Sequence, residues 1–308
     1  MPPVAICFSH VTKRYGKTTA VQDLDFEVYS GEICGFLGPN GAGKTTTINL
    51  MLGLVYSDQG QIEMLGHRIP AELQAAMPHI GAALERPAFY PFLSGRDNLY
   101  LLAKMRGKAA LDNLQAVLET VDLADRAKDK FGTYSMGMKQ RLSLAAALLP
   151  NPRMLILDEP TNGLDPAGMV EIRDLLKRLS KERGKTIFLS SHLLNEAEQI
   201  CDRVIIINTG SLLVQGSLLD LLGPGEDFVR LQTSNPSRVQ EIIKERNCWI
   251  APWSPDPETV WFSSLTSDTK EDVLSQLAQE NIAVREERVF PKTLETLFLA
   301  LTTPRFTR

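Results

Sequence analysis

The sequence predicts an α/β fold built on a mainly parallel sheet, followed by a smaller α+β domain. Three observations predict it. Buried-strand runs at Ile33 to Leu37, Arg153 to Glu159, Thr186 to Leu189 and Val204 to Ile207 alternate with helix-compatible segments, as in a sheet covered on both faces. The stretch Gly38-Pro39-Asn40-Gly41-Ala42-Gly43-Lys44-Thr45-Thr46 fits G-x-x-x-x-G-K-[ST] and lies between a strand and a helix, which is the context that loop requires. Near Gly223-Pro224-Gly225 the composition changes, and a second set of strands and helices follows.

Taken in order, Val4 to Phe8 and Leu24 to Tyr29 read as strands, with a turn at Tyr15-Gly16. Ile33 to Leu37 leads into the glycine-rich loop and a helix from Thr45 to Leu54. Ser57-Asp58-Gln59-Gly60 opens a hairpin running to Ile69. The prolines of Glu85-Arg86-Pro87-Ala88-Phe89-Tyr90-Pro91 exclude regular helix there. Leu93 to Leu123 forms a helical block, with Ser94 and Asp112 as N-caps. Ser135 caps the next helix, which Pro150 stops. Asp165-Pro166 pairs an N-cap with proline at the first helical position, and Gly184 ends that helix. Leu193 to Cys201 is a further helix. Beyond residue 223 the order is strand (Phe228 to Gln232), helix (Ser237 to Arg246), strands at Trp249 and at Val260 to Phe262, helix (Lys270 to Glu280), then Ile282 to Val289. An amphipathic segment, Leu294 to Leu301, closes the pattern.

Composition narrows the class. The 308 residues leave room for about two domains. A hydrophobic content of 44% supports a sizeable core, and a net charge of −4 gives no global field for nucleic acid or an anionic membrane. Cys7, Cys34, Cys201 and Cys248 contain no C-x-x-C pair, which reads as reduced thiols. No run reaches the ~18–20 apolar residues of a membrane span. The start, Met1-Pro2-Pro3-Val4-Ala5-Ile6, lacks the basic region of a signal peptide. Any membrane function is therefore expected to act through another polypeptide.

The chemistry starts at the loop. Its glycines let backbone N–H groups turn toward phosphate oxygens, and the following helix adds its positive N-terminus. Lys44 would reach the β- and γ-phosphates of a nucleoside triphosphate, and the Thr45 hydroxyl would ligate Mg²⁺. Leu155-Ile156-Leu157-Asp158 has the form of an apolar strand delivering a carboxylate to that metal, and Glu159 is placed to polarise an attacking water. Read alone, the same residues are a strand end that carries two acids.

Tyr134-Ser135-Met136-Gly137-Met138-Lys139-Gln140-Arg141 precedes that strand by one helix length and resembles the signature motif of ATP-binding cassette (ABC) proteins. Gly163-Leu164-Asp165 resembles their D-loop, and Ser190-Ser191-His192, after a buried strand, resembles their H-switch. A lone histidine is ordinarily structural, but His192 lies at a strand's C-terminal end, where open parallel sheets bind ligands. The resemblance covers about residues 4–222, leaving 228–308 as an accessory α+β domain. It implies a P-loop cassette with an antiparallel β subdomain and a helical subdomain.

The same resemblance implies a mechanism. Two cassettes pair head to tail, with ATP held between Lys44 of one and Ser135 and the Gly137 amide of the other. Tyr15 matches the aromatic that stacks on adenine; otherwise it is an exposed turn tyrosine. The cassette is then the ATPase of a transporter, working with a membrane permease on the cytoplasmic face and with a second nucleotide-binding subunit. Where most of the family has a glutamine facing Mg²⁺, this chain has Glu85, which cannot donate an amide hydrogen bond. Glu85, Phe89-Tyr90-Pro91 and the Ser135-Met136-Gly137-Met138 signature together resemble the bacitracin-resistance and lantibiotic-immunity exporters. The alternative is a soluble ABC ATPase of translation or DNA repair. The single cassette, the lack of a long coiled coil and the absence of a basic nucleic-acid surface oppose it.

Overall fold

A computed structural model of the chain describes residues 2–84, 89–225, 227–246, 248–254, 256–263 and 267–302. The chain divides into two compact units, Met1–Leu193 with Ile200–Leu212, and Leu194–Gln199 with Leu213–Arg308. The division therefore falls ten residues before Leu222, and a short helical segment after His192 is counted with the second unit.

The first unit begins with a long hairpin, β1 (Val4–Tyr15) and β2 (Thr18–Tyr29), turning at Gly16 with φ of 60°. Both strands are longer than their apolar runs, because Lys13 pairs with Val21 and Tyr15 with Thr18 in a solvated extension. Then follow β3 (Ile33–Leu37), α1 (Lys44–Met51), β4 (Gln59–Met64) and β5 (His67–Ile69). Next come α2 (Leu73–Ala76), a 3₁₀ turn at Met77–His79 and β6 (Ile80–Ala83). Strand β6 has no apolar alternation to betray it. It exists because it pairs in parallel with β7 (Met154–Asp158).

The helical block is α3 (Gly95–Arg106), α4 (Lys108–Asp112) and α5 (Leu114–Thr120), then α6 (Met136–Leu148). Ser94 caps α3, accepting from the Asp97 amide at 3.0 Å. Asp112 is not an N-cap. The break falls at Gly107, with φ of 98°, so Asp112 ends α4. The unit continues through α7 (Pro166–Lys181) and β8 (Thr186–Ser191) to β9 (Arg203–Asn208). The order β9-β3-β8-β7-β6 is parallel at every step. The other sheet, β2-β1-β4-β5, is antiparallel. Phe8, Phe26, Phe36 and Phe188 stack in the core between the sheets, with Phe36 and Phe188 centroids 5.3 Å apart.

In the second unit, α8 (Leu194–Ile200) contributes Glu198, whose carboxylate accepts from the Leu294 amide at 2.9 Å. The remaining elements are β10 (Ser211–Ser217), α9 (Leu218–Leu222), β11 (Asp227–Thr233), α10 (Pro236–Glu245), β12 (Trp249–Ile250), β13 (Thr259–Ser263), α11 (Ser267–Gln279), β14 (Val284–Pro291) and α12 (Leu294–Thr302). Strands β12-β13-β11-β14 form an antiparallel sheet. Val229, Leu231, Val260 and Phe262 pack with α10 and α11 residues such as Ile242, Val273 and Leu277. The alternate positions, Phe228 and Trp261, join Trp253, Trp249 and Phe290 in an aromatic cluster. The tryptophans are thus core material: Trp261 is fully buried, and the Trp253 indole N–H donates to Leu221 O at 2.7 Å.

Candidate functional site

The loop between β3 and α1 is shaped by its neighbours. A Cβ at Gly38 would sit 2.5 Å from the Ile207 carbonyl oxygen. At Gly43, where φ is 106°, it would sit 2.5 Å from that of Ala20. Neither position admits a side chain, so both glycines are required by close backbone approach as well as by conformation. The loop and its helix open onto a cleft of about 480 Å³ lined by Thr18, Thr19, Ala20, Asn40, Gly41, Gly43, Lys44, Thr45, Thr46, Glu159, Asn162 and His192.

Lys44 is buried, and its Nζ donates to Gly38 O at 2.8 Å and Pro39 O at 3.2 Å. The same nitrogen lies 3.4 Å from Glu159 Oε1. The other Glu159 oxygen, Oε2, is 2.8 Å from His192 Nδ1. A carboxylate only accepts, so the Nδ1–H donates. Lys44, Glu159 and His192 come from three different elements and meet at the C-terminal ends of parallel strands.

Behind them, Thr45 Oγ1 donates to Asp158 Oδ2 at 3.3 Å. A hydroxyl and a carboxylate oxygen are hard donors of the type Mg²⁺ takes together with substrate phosphates. These two residues fit the expected Mg²⁺, and the cation they would hold would neutralise charge at the phosphates. Among the described residues there is no cluster of three or more His, Cys, Asp or Glu side chains able to hold a metal alone.

Glu159 itself carries φ of 51°, a left-handed backbone in a non-glycine residue. Its amide donates to Ser190 Oγ at 2.9 Å, and that hydroxyl donates to Asp158 Oδ1 at 2.6 Å. The buried thiols take no part in such chemistry. Burial pushes both Cys34 and Cys201 well up from the ordinary thiol range, so they stay protonated.

Ser135, Gly137 and Asp165 do not reach this cleft. They line a second one of about 570 Å³, shared with Met136, Gly163 and Arg141, and the two clefts have no lining residue in common. Ser135 caps α6 by accepting from the Met138 amide at 3.2 Å, and a Cβ at Gly137 would meet nothing within 4 Å. Asp165 caps α7, accepting from the Gly168 amide at 3.0 Å. Tyr15 is half exposed and is absent from the cleft lining, though its cross-strand partner Thr18 is part of it. Glu85, expected near the metal, lies outside the described residues. Sequence reasoning assigned no role to Thr18, Thr19 and Asn162, and it placed Ser190 only within the Ser190-Ser191-His192 motif. The Asn162 position, three residues past Glu159, was the one signal in reach.

The ABC transporter family model matches residues 21–162. The ABC transporter ATP-binding protein YhcH of Bacillus subtilis (strain 168), itself uncharacterized, is 41% identical over 95% of this chain and 94% of its own length. The chain belongs to the ATP-binding subunits of ABC transporters. It is accordingly an ATPase. Bacitracin transport ATP-binding protein BcrA of Bacillus licheniformis is 43% identical, covering 76% of this chain and 77% of that protein. An ATP-binding cassette solved as a dimer in a post-hydrolysis state bound to ADP and Pi superposes with a TM-score of 0.62. It is 25% identical and covers 69% of this chain and 98% of that one. Among the described residues no helix is long and apolar enough to cross a membrane.

Proposed function

We propose that the chain powers an exporter through a separate membrane permease, as the ATPase on its cytoplasmic face. The observation that carries this reading is the meeting of Lys44, Glu159 and His192 in one cleft beside the Thr45–Asp158 pair. Lys44 holds the β- and γ-phosphates, and residues 38–46 wrap them with backbone N–H groups. Thr45 and Asp158 would hold Mg²⁺, and Glu85 is assigned to the same metal. Glu159 accepts the proton of the attacking water. His192 Nδ1 orients the Glu159 carboxylate, leaving Nε2 to face the γ-phosphate. Tyr15 stacks on adenine beyond Thr18.

Ser135, Gly137 and Asp165 serve the nucleotide of a second subunit, a copy or a paralogue. Their separate cleft supports that assignment, since they cannot serve the first cleft within one chain. Likeness to BcrA supports a peptide-antibiotic class of cargo, selected by the permease. Residues 4–222 form the cassette and 228–308 the accessory domain.

Sedimentation tests the pairing. With ATP, Glu159→Gln should bind nucleotide, fail to hydrolyse it and run as a dimer, whereas with ADP it should run as a monomer. Hydrolysis by Glu159→Gln at the wild-type rate would contradict the role given to Glu159. A monomer under every nucleotide would contradict the shared site.

A further inference from the structure

Ser190 sits behind the two acids rather than among the groups that face the cleft, and no atom of it is exposed. Strands β7 and β8 pair in parallel with Asp158 opposite Ser190. In that register the two side chains lie on the same face of the sheet, at adjacent strand positions. The Ser190 hydroxyl has one hydrogen, and the 2.6 Å bond to Asp158 Oδ1 uses it. Its lone pairs remain for the Glu159 amide at 2.9 Å. One side chain thus holds the side chain of the first acid and the backbone of the second.

Both ends of that bridge matter to geometry. Asp158 presents Oδ2 to Thr45 because Oδ1 is engaged from behind. Glu159 keeps a left-handed backbone, φ of 51°, which is costly for an L-residue because its Cβ crowds the following carbonyl oxygen. A conformation of that cost persists only where the surroundings fix it. The amide bond to Ser190 is such a fixing contact. Without it the Glu159 carboxylate loses its register toward Lys44 and His192, both of which it meets at 3.4 Å or less.

We propose that Ser190 is a positioning residue for hydrolysis: it clamps the strained Glu159 backbone and orients Asp158 through a single hydroxyl. The proposal rests on the roles given above to Asp158 and Glu159. It adds that the turnover step, not nucleotide affinity, depends on a hydroxyl that lies outside the cleft lining. Ser190 belongs to β8 and His192 is the first residue beyond it, so one continuous segment holds both the Glu159 amide and its carboxylate.

The test uses the full chain with Ser190→Ala and with Ser190→Cys, which keeps the volume but weakens both hydrogen bonds. The expected result is a kcat lowered roughly 10- to 100-fold, the usual cost of removing a hydrogen-bond partner of a metal ligand. The KM for ATP stays within about twofold, because the contact is absent from the nucleotide cleft. A second readout needs no nucleotide: amide hydrogen exchange at Glu159 should be slow in the wild type and about tenfold or more faster in the variants. If Ser190→Ala fails to fold, Ser190→Cys decides. Wild-type kcat with unchanged Glu159 exchange in the folded variants would overturn the proposal, and so would a loss confined to KM. Glu159→Gln run alongside separates the two readings. Hydrolysis by it would sink the site assignment itself, whereas an inert Glu159→Gln beside a fully active Ser190→Ala would sink only the clamp.

Discussion

Removing the Glu286 carboxylate should unfold the second unit far more readily than removing the charge it balances. Arg230, on β11, is 1% exposed, and Glu286, on β14, is 26% exposed. Arg230 Nη1 donates to Glu286 Oε2 at 2.5 Å, while Nε and Nη2 are buried with no hydrogen-bond partner among the described residues. Breaking a buried pair by deleting one partner costs about 3–5 kcal/mol, since the other charge is left uncompensated. Water reaches Glu286, so about 2–3 kcal/mol is the fitting figure for Glu286→Ala. Arg230→Met removes the charge, the two unpartnered nitrogens and their desolvation cost together, and should fall within about 1 kcal/mol of the wild type or above it.

All three tryptophans, Trp249, Trp253 and Trp261, lie in the second unit. Urea denaturation followed by tryptophan fluorescence therefore reports that unit alone. With an m-value of about 1.5 kcal/mol/M, Glu286→Ala should lower the midpoint by about 1.3–2 M. Equal losses in the two variants, or an unmoved midpoint in Glu286→Ala, would refute the reasoning.

Other expectations follow from single contacts. Gly43→Ala places a Cβ 2.5 Å from Ala20 O at φ of 106°, so ATP affinity measured by calorimetry should fall about tenfold or more, and the strained backbone should lower thermal stability as well. Phe188→Ala empties the stack against Phe36 and Phe26 and should cost about 3–5 kcal/mol in chemical denaturation. His10 is held above its ordinary value of 6.5, first by its hydrogen bond to Asp23 and then by the charges of Asp23 and Asp25. Its contribution to stability is complete below pH 6.5 and is lost as pH rises through the folded-state value. An NMR titration should show that raised midpoint, and Asp23→Asn should bring it down.

What the sequence disclosed and what it hid have physical reasons. The glycine-rich loop, Asp158, Glu159 and His192 were legible because their chemistry requires fixed residue types at fixed spacing beside strands. Ser190 belongs to the same motif, yet its bridge depends on which residue of β7 it faces, and register is invisible without the sheet. Strand β6 escaped because it is built of Gly81, Ala82 and Ala83. A Cβ at Gly81 would lie 2.2 Å from Ala147 O, so close packing against α6 chose a poor strand former. Asp112 looked like a cap because an acid preceded an apolar run, whereas the chain actually breaks five residues earlier, at Gly107. The second cleft was legible only as separate motifs. That Ser135 and Asp165 share it, apart from Lys44, required the fold.

The most direct test of the central claim is ATP hydrolysis by the tagged chain purified from detergent-solubilised membranes, beside a Glu159→Gln control. The account predicts recovery of a multi-spanning membrane protein in the eluate and hydrolysis that disappears in the control. Hydrolysis recovered with soluble partners alone, or persisting in Glu159→Gln, would contradict it.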